Sequence, residues 1–170
     1  DIGADAILTV SQGGITAQMV SRFRPEATVV GPVTLENYEL LFRGNGRGYG
    51  VATIAPKKHR TVYGLLWRIS PQDEKNLDMY EGFPQLYDKE TVTVKMQNGT
   101  ELAVMAYIMT REKERLPTMP SFAYYDGIRE GFRQNNLPVR ALQQALRQTQ
   151  REVQKLTYIL KKKGRDDYER

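Results

Sequence analysis

Along this chain apolar residues alternate with polar ones more often than they recur at helical spacing. Ala6–Val10 is a short apolar run, followed by the flexible Ser11-Gln12-Gly13-Gly14. Ile15, Met19, Val20 and Phe23 then step by three and four until Pro25, which predicts a helix. Ala27–Val33 reads as a second strand, and Tyr38, Leu40 and Phe42 alternate as a half-buried one. Gly44–Gly50 separates that run from Val51–Ala55, and Arg60–Ile69, with the only Trp, is a further strand.

Ser70-Pro71-Gln72-Asp73 starts a helix: Ser70 caps, Pro71 suits the first helical position, and Asp73 and Glu74 complement the helix dipole. Gly82 and Pro84 end it within about three turns. Tyr87–Met96 and Glu101–Met109 alternate around Gln97-Asn98-Gly99-Thr100, where Asn-Gly predicts the positive φ angles of a tight hairpin. Two helices close the chain, from Ser121 to about Gln134 and from Pro138 onward. A strand-rich body with few helices and no strict βαβ alternation predicts the α+β class.

The last helix carries a heptad seam of Val139, Leu142, Leu146, Thr149, Val153, Leu156 and Leu160. Packing on its own domain is favoured for this seam. Self-association of the overhanging part is the alternative, so a monomer or a weak homodimer through the C-terminal helix is expected.

With 170 residues, one domain over 1–146 is predicted, followed by a basic helical tail over 147–170. The tail holds eight basic and four acidic side chains, a net +4 of the chain's +5, so the body is nearly neutral. A nucleic-acid face would put that excess on the folded body, and nucleic acid is not an expected partner. Zero Cys excludes disulfides, thiolate metal sites and a thiol nucleophile, and a single His excludes multi-His metal sites. Neither a metal nor a cofactor is expected. No apolar run approaches the roughly 20 residues of a membrane span, and no signal-peptide pattern opens the chain. A cytoplasmic protein without membrane partners is the expectation, although the chain begins at Asp1 rather than Met.

Three segments compete as candidate sites. The Gly-rich 44–50 stretch is followed by a strand rather than a helix and lacks a closing Lys-Ser/Thr pair, so it reads as a hairpin connection rather than a phosphate cradle. His59, among Lys57, Lys58 and Arg60, reads as an exposed turn. Glu81 differs. It ends the short helix beside Leu77, Tyr80 and Phe83, where the carbonyl end of the helix and partial burial both oppose its charge and favour a carboxyl able to exchange protons near neutrality.

Val29-Val30-Gly31-Pro32, Gly50-Val51-Ala52-Thr53-Ile54, Val62-Tyr63-Gly64-Leu65-Leu66-Trp67 and Leu77-Asp78-Met79-Tyr80-Glu81-Gly82 occur in that order. Ala106-Tyr107-Ile108-Met109, Pro120-Ser121, Tyr124, Ile128, Gly131-Phe132 and Asn136-Leu137-Pro138 continue the series. On these motifs the chain, from about Ala27 to Leu146, resembles the gamma-glutamylcyclotransferase-like family. The resemblance implies a small mixed β-barrel with flanking helices. It also implies a reaction in which the α-amine of a γ-glutamyl group attacks its own γ-carbonyl and releases 5-oxoproline. Glu81 falls on the family's catalytic Glu, and Tyr87 and Tyr124 fall near tyrosines that line the substrate pocket. Phe122 and Ala123 enlarge an apolar patch beside Tyr124.

The family's opening Tyr-Gly-Ser-Asn loop corresponds here to Val10-Ser11-Gln12-Gly13, so Ser11, Gln12, Gly13 and Gly14 are the expected substrate-holding loop. Residues 1 to about 30 instead resemble a strand–loop–helix–strand piece of the pyruvate kinase C-terminal domain. Ala4-Asp5-Ala6-Ile7-Leu8-Thr9 and Thr16-Ala17-Gln18-Met19-Val20-Ser21-Arg22-Phe23-Arg24-Pro25 carry that likeness. A natural or deliberate chimera joined between Arg24 and Thr34 is the favoured explanation, and a divergent family member with an accidental likeness to pyruvate kinase is the alternative. The functional expectation is a gamma-glutamylcyclotransferase acting on a γ-glutamyl amine or dipeptide. The alternatives are a catalytically silent or engineered scaffold of the same fold, or an anion- or partner-binding module.

Overall fold

A computed structural model describes residues 6–9, 27–44, 46, 48–111 and 115–168. Five strands close into a mixed barrel in the order β1-β3-β2-β4-β5. They are β1 (Ala6–Thr9), β2 (Thr28–Gly44), β3 (Gly50–Arg68), β4 (Tyr87–Met96) and β5 (Glu101–Met109). Three helices are seen among the described residues: α1 (Pro71–Glu81), α2 (Phe122–Gln134) and α3 (Val139–Tyr168). The α+β barrel with flanking helices is the architecture the family likeness implies. Closure comes from β1, which runs antiparallel to β3 and parallel to β5, with Ile7 opposite Met105.

Alternation along the strands builds two apolar layers. Ala6, Leu8, Leu66, Val94, Val104 and Ala106 fill the barrel interior together with Val33, Leu35 and Ile54. Ile7, Leu65 and Trp67 point the other way and pack with Leu77, Ile128, Phe132 and Leu142 from the three helices. All four residues of β1 are buried because both of its faces are covered. Inside this wall the Trp67 Nε1–H donates to Thr9 Oγ1 at 3.1 Å.

Three expectations change. The runs 27–33 and 38–42 form one 17-residue strand, and 51–55 and 60–69 form one 19-residue strand. Bulges carry the ladder across the interruptions: Glu36 pairs with Thr61 and Tyr38 with Pro56, so Lys57–Arg60 stand outside it. Asn37 Oδ1 accepts the His59 N–H at 3.2 Å there, with both residues at positive φ. The exposed turn expected at His59 is thus a wide bulge within β3. The β4–β5 hairpin has its expected bounds, but only Gly99 has positive φ, at 87°. Asn98 instead caps the turn through its side chain, with Oδ1 accepting the Thr100 N–H at 3.0 Å.

The helix starts follow local chemistry. Ser70 Oγ accepts the Asp73 N–H and Asp73 Oδ2 accepts the Ser70 N–H, a reciprocal cap for α1. Gly82, at φ 69°, ends α1 in the left-handed conformation. α3 is unbroken across residue 146: Thr149 is fully buried and Glu152 Oε2 lies 2.9 Å from the Arg43 guanidinium. Beyond Glu152 the stripe turns outward, and Tyr158, Ile159 and Leu160 are exposed. Among the described residues no helix is long and apolar enough to cross a membrane.

Candidate active site

Glu81 sits where α1 meets the ends of β3, β4 and β5. It is 9% exposed although it is the last helical residue. The turn behind it is fixed by two donors, since the N–H groups of Gly82 and Phe83 both reach the carbonyl of Asp78. The chain then bends through Phe83-Pro84 into β4, whose first residue is Tyr87.

Ala52 explains why two tyrosines converge here. Among the described residues β1 pairs with β3 over Leu65–Arg68 and not at Ala52. Two phenols take that place. Tyr87 donates to the Ala52 carbonyl at 2.8 Å, and Tyr124 accepts from the Ala52 N–H at 3.0 Å. Tyr124 is carried there by α2, whose approach is set by the segment before it. Gly44 and Gly50, the closing pair of the β2–β3 hairpin, donate to the carbonyls of Leu116 and Met119. Gly50 admits this contact because a Cβ there would lie 2.0 Å from the Thr118 carbonyl oxygen.

The electrostatics place Glu81 among these hydroxyls. Burial pushes Tyr124 up to about 12, the bond from Ala52 opposing and the Glu81 carboxylate adding to the shift. Burial likewise holds Tyr87 well above the usual phenol range, reinforced by Tyr124 and Glu81 and opposed by the Arg115 guanidinium. Both phenols stay protonated throughout the neutral range. Arg115 is anchored by its Nε to the Thr110 carbonyl at 3.1 Å, which brings a cation to the same end of the barrel.

A second group of side chains fixes α1. Lys89 and Tyr107 are cross-strand partners in the β4–β5 hairpin. Lys89 Nζ contacts Glu74 Oε1 at 2.7 Å and Asp78 Oδ2 at 2.9 Å, and the Tyr107 hydroxyl donates to Asp78 Oδ1 at 2.6 Å. Lys89 also lies 4.5 Å from the centre of the Phe83 ring. Burial opposes the Lys89 charge, but the two carboxylates outweigh it and raise its pKa. Burial, then Asp78, raises Tyr107 as well. Lys89 therefore grips α1 before Glu81 and the turn after it.

Of the residues expected from sequence, Glu81, Tyr87 and Tyr124 come together. Ser11, Gln12, Gly13 and Gly14 lie outside the described residues, as does the helix expected over 15–23. Lys89, Tyr107, Arg115 and the backbone of Ala52 are further residues that the fold brings to this site. The alternation of β4 and β5 marks Lys89 and Tyr107 as facing residues, but their meeting with α1 depends on the tertiary fold. The described residues contain no group of three or more His, Asp or Glu side chains arranged to hold a metal ion.

Known proteins resemble this chain in sequence and in fold. Residues 16–127 match the family described as Gamma-glutamyl cyclotransferase, AIG2-like. The gamma-glutamylcyclotransferase of Bos taurus is 32% identical over 123 residues, covering 68% of this chain and 63% of the bovine protein. That of Homo sapiens is 31% identical over 123 residues with the same coverage. A solved structure named gamma-glutamyl cyclotransferase shares the fold, with a TM-score of 0.71 at 24% identity over 82% of this chain and 85% of the other. The protein belongs to the gamma-glutamyl cyclotransferase, AIG2-like family, and spans 63% of the length of those two curated relatives.

Proposed function

We propose that the protein is a gamma-glutamylcyclotransferase, converting a γ-glutamyl amine or γ-glutamyl dipeptide into 5-oxoproline and the released amine. The observation that carries this reading is the convergence of Glu81 with the Tyr87 and Tyr124 hydroxyls, in a chain of this family. A γ-glutamyl group ends in an α-amino acid, with an amine and a carboxylate on one carbon. Tyr87 spends its proton on Ala52 and keeps oxygen lone pairs to accept from the amine. Tyr124 accepts from Ala52 and keeps its proton to donate to the carboxylate.

Glu81 then acts as the proton carrier. As a carboxylate it takes a proton from the α-ammonium, because only the neutral amine has a lone pair for attack. The amine nitrogen attacks the γ-carbonyl carbon, and the new C–N bond closes a five-membered lactam. As the intermediate collapses, the old amide C–N bond breaks and Glu81 returns a proton to the departing nitrogen. Over the cycle the α-nitrogen loses two protons and the leaving nitrogen gains two. The attack is intramolecular, so holding the substrate folded supplies much of the acceleration. The Ser11–Gly14 backbone amides are the proposed holders of the γ-carbonyl oxygen.

The finer attributes belong to the same proposal. The compartment is the cytoplasm. The chain is a monomer or a weak homodimer through the exposed end of α3, a reading supported by Ile159 and Leu160. The opening segment is an exchanged piece resembling pyruvate kinase, although the family match reaches back to residue 16.

The test is 5-oxoproline release by the full chain from a panel of γ-glutamyl amines and dipeptides that includes glutathione. Release from at least one member is expected. A folded protein that releases none from the whole panel overturns the reading.

A further inference from the structure

Away from Glu81, a cleft of about 300 Å³ opens where α3 crosses the bent β2–β3 ribbon. The wide bulge at Lys57–Arg60 lets Arg60–Tyr63 of β3 and Glu39–Leu40 of β2 line one space, which α3 completes. Its floor is apolar: Leu40, Tyr63 and Ala141 are half-buried there, over a closed layer of Val62, Phe132, Leu142 and Ala145. Its mouth is cationic. Arg60, Arg147 and Arg151 line the same cleft and are exposed, and Arg147 and Arg151 are one helical turn apart on α3.

None of these three arginines has an ion-pair partner among the described residues. The one acidic side chain lining the cleft is Glu39, which accepts from Gln148 Nε2 at 3.3 Å. The charged lining therefore carries three positive charges and one negative, a net of +2. Holding like charges together is unfavourable, and the planar donor fork of arginine matches carboxylate and phosphate oxygens in pairs. The cleft volume stands at the lower end of the range for small-molecule sites.

We propose that this cleft binds a small organic dianion with an apolar body. Its phosphate or paired carboxylates meet Arg60, Arg147 and Arg151, and its hydrocarbon part rests on the half-buried Leu40, Tyr63 and Ala141. The proposal does not depend on the reading of Glu81, since the two sites share no residue.

The test is a titration of the ¹⁵N-labelled full chain, followed by amide shifts, with phenyl phosphate, phthalate, inorganic phosphate and phenyltrimethylammonium. Saturable shifts at Tyr63, Leu142 and Gln148 are expected with phenyl phosphate or phthalate, and the tighter of the two names the headgroup. Affinity is expected to fall about tenfold or more in the Arg147→Gln/Arg151→Gln double variant, the scale of one lost charge-assisted contact. It is also expected to weaken as salt rises from about 0.05 to about 0.5 M. The exposed Lys155→Gln variant, outside the cleft, serves as the control and is expected to bind as the parent does. The proposal is overturned if neither dianion gives saturable shifts, or if the cation or inorganic phosphate binds as well as phenyl phosphate. It also fails if the folded double variant binds as tightly as the parent.

Discussion

Tyr87 and Tyr124 present hydroxyls of opposite sense to one residue, Tyr87 donating to the Ala52 carbonyl at 2.8 Å and Tyr124 accepting from the Ala52 N–H at 3.0 Å. The same bonds that complete the edge of β3 leave one phenol an acceptor and the other a donor beside Glu81. On the proposed function, structural and substrate-binding roles are joined in the same atoms.

Tyr124→Phe removes the proposed donor to the substrate carboxylate and strands the Ala52 N–H. A loss of about 10- to 100-fold in kcat/KM is expected, as for a hydrogen bond to a charged group, with about 1–3 kcal/mol of stability. Steady-state kinetics on a γ-glutamyl amide and on its analogue lacking the α-carboxylate separate the two effects. The penalty shrinks for the analogue if Tyr124 holds the carboxylate, and is equal for both if its role is structural alone.

Lys89→Met removes the cation between Glu74 and Asp78 and leaves the two carboxylates repelling each other across one turn of α1. The pairs are only partly buried, so about 1 kcal/mol of stability is expected to go. Because Lys89 also contacts Phe83, the expected kinetic signature is a several-fold fall in kcat with a smaller change in KM, largely restored in Lys89→Arg. Thermal unfolding that drops while kcat stays at the parent value would assign Lys89 to stability only.

Alkaline titration reads the buried phenols. Tyr87, Tyr107 and Tyr124 all have folded pKa values raised above the unfolded value near 10, and Lys89 is raised likewise. A group of this kind stabilises the fold fully below its unfolded pKa, and that contribution is lost as pH rises toward the folded value. Stability is therefore expected to fall from about pH 10 upward. Absorbance at the phenolate band should show the ten tyrosines of the chain splitting into an early class and a class that ionises only as the protein unfolds. Titration of all ten together near pH 10 would contradict the burial of these hydroxyls.

At Gly64 the backbone of β3 passes close to β1. A Cβ there would lie 2.5 Å from the Thr9 carbonyl oxygen and 2.8 Å from Leu8 Cδ1. Gly64→Ala is expected to cost about 1–3 kcal/mol, measured as a lower midpoint of urea unfolding. An unchanged midpoint would mean that the closing strand sits farther away.

What could be read from sequence was local. The Ser70–Asp73 cap and the turn at Asn98-Gly99 are set by neighbouring side chains, and both elements fell within a residue of their observed bounds. β2 reads as broken over Thr34–Asn37 and β3 over Pro56–His59, where the apolar alternation lapses, whereas the ladder continues across both through the bulge between Glu36 and Tyr38. In the candidate site, Glu81 stands out by its place at a helix end and by motif likeness, and Tyr87 and Tyr124 by motif likeness alone. Ala52 acts only through its backbone, which no side-chain pattern marks. Lys89 and Tyr107 acquire their role from strand register and from where α1 lands, and the arginine cleft draws on residues about 90 positions apart.

The most direct measurement is a single-turnover assay of 5-oxoproline formation by the parent chain and by Glu81→Gln, on the best substrate of the panel, with folding verified by circular dichroism. The amide keeps the shape of Glu81 but cannot take up a proton from the α-ammonium. The account predicts formation by the parent and a loss of about 10²-fold or more in the variant, the scale of a general acid–base group. A folded Glu81→Gln variant that forms 5-oxoproline at the parent rate would contradict it.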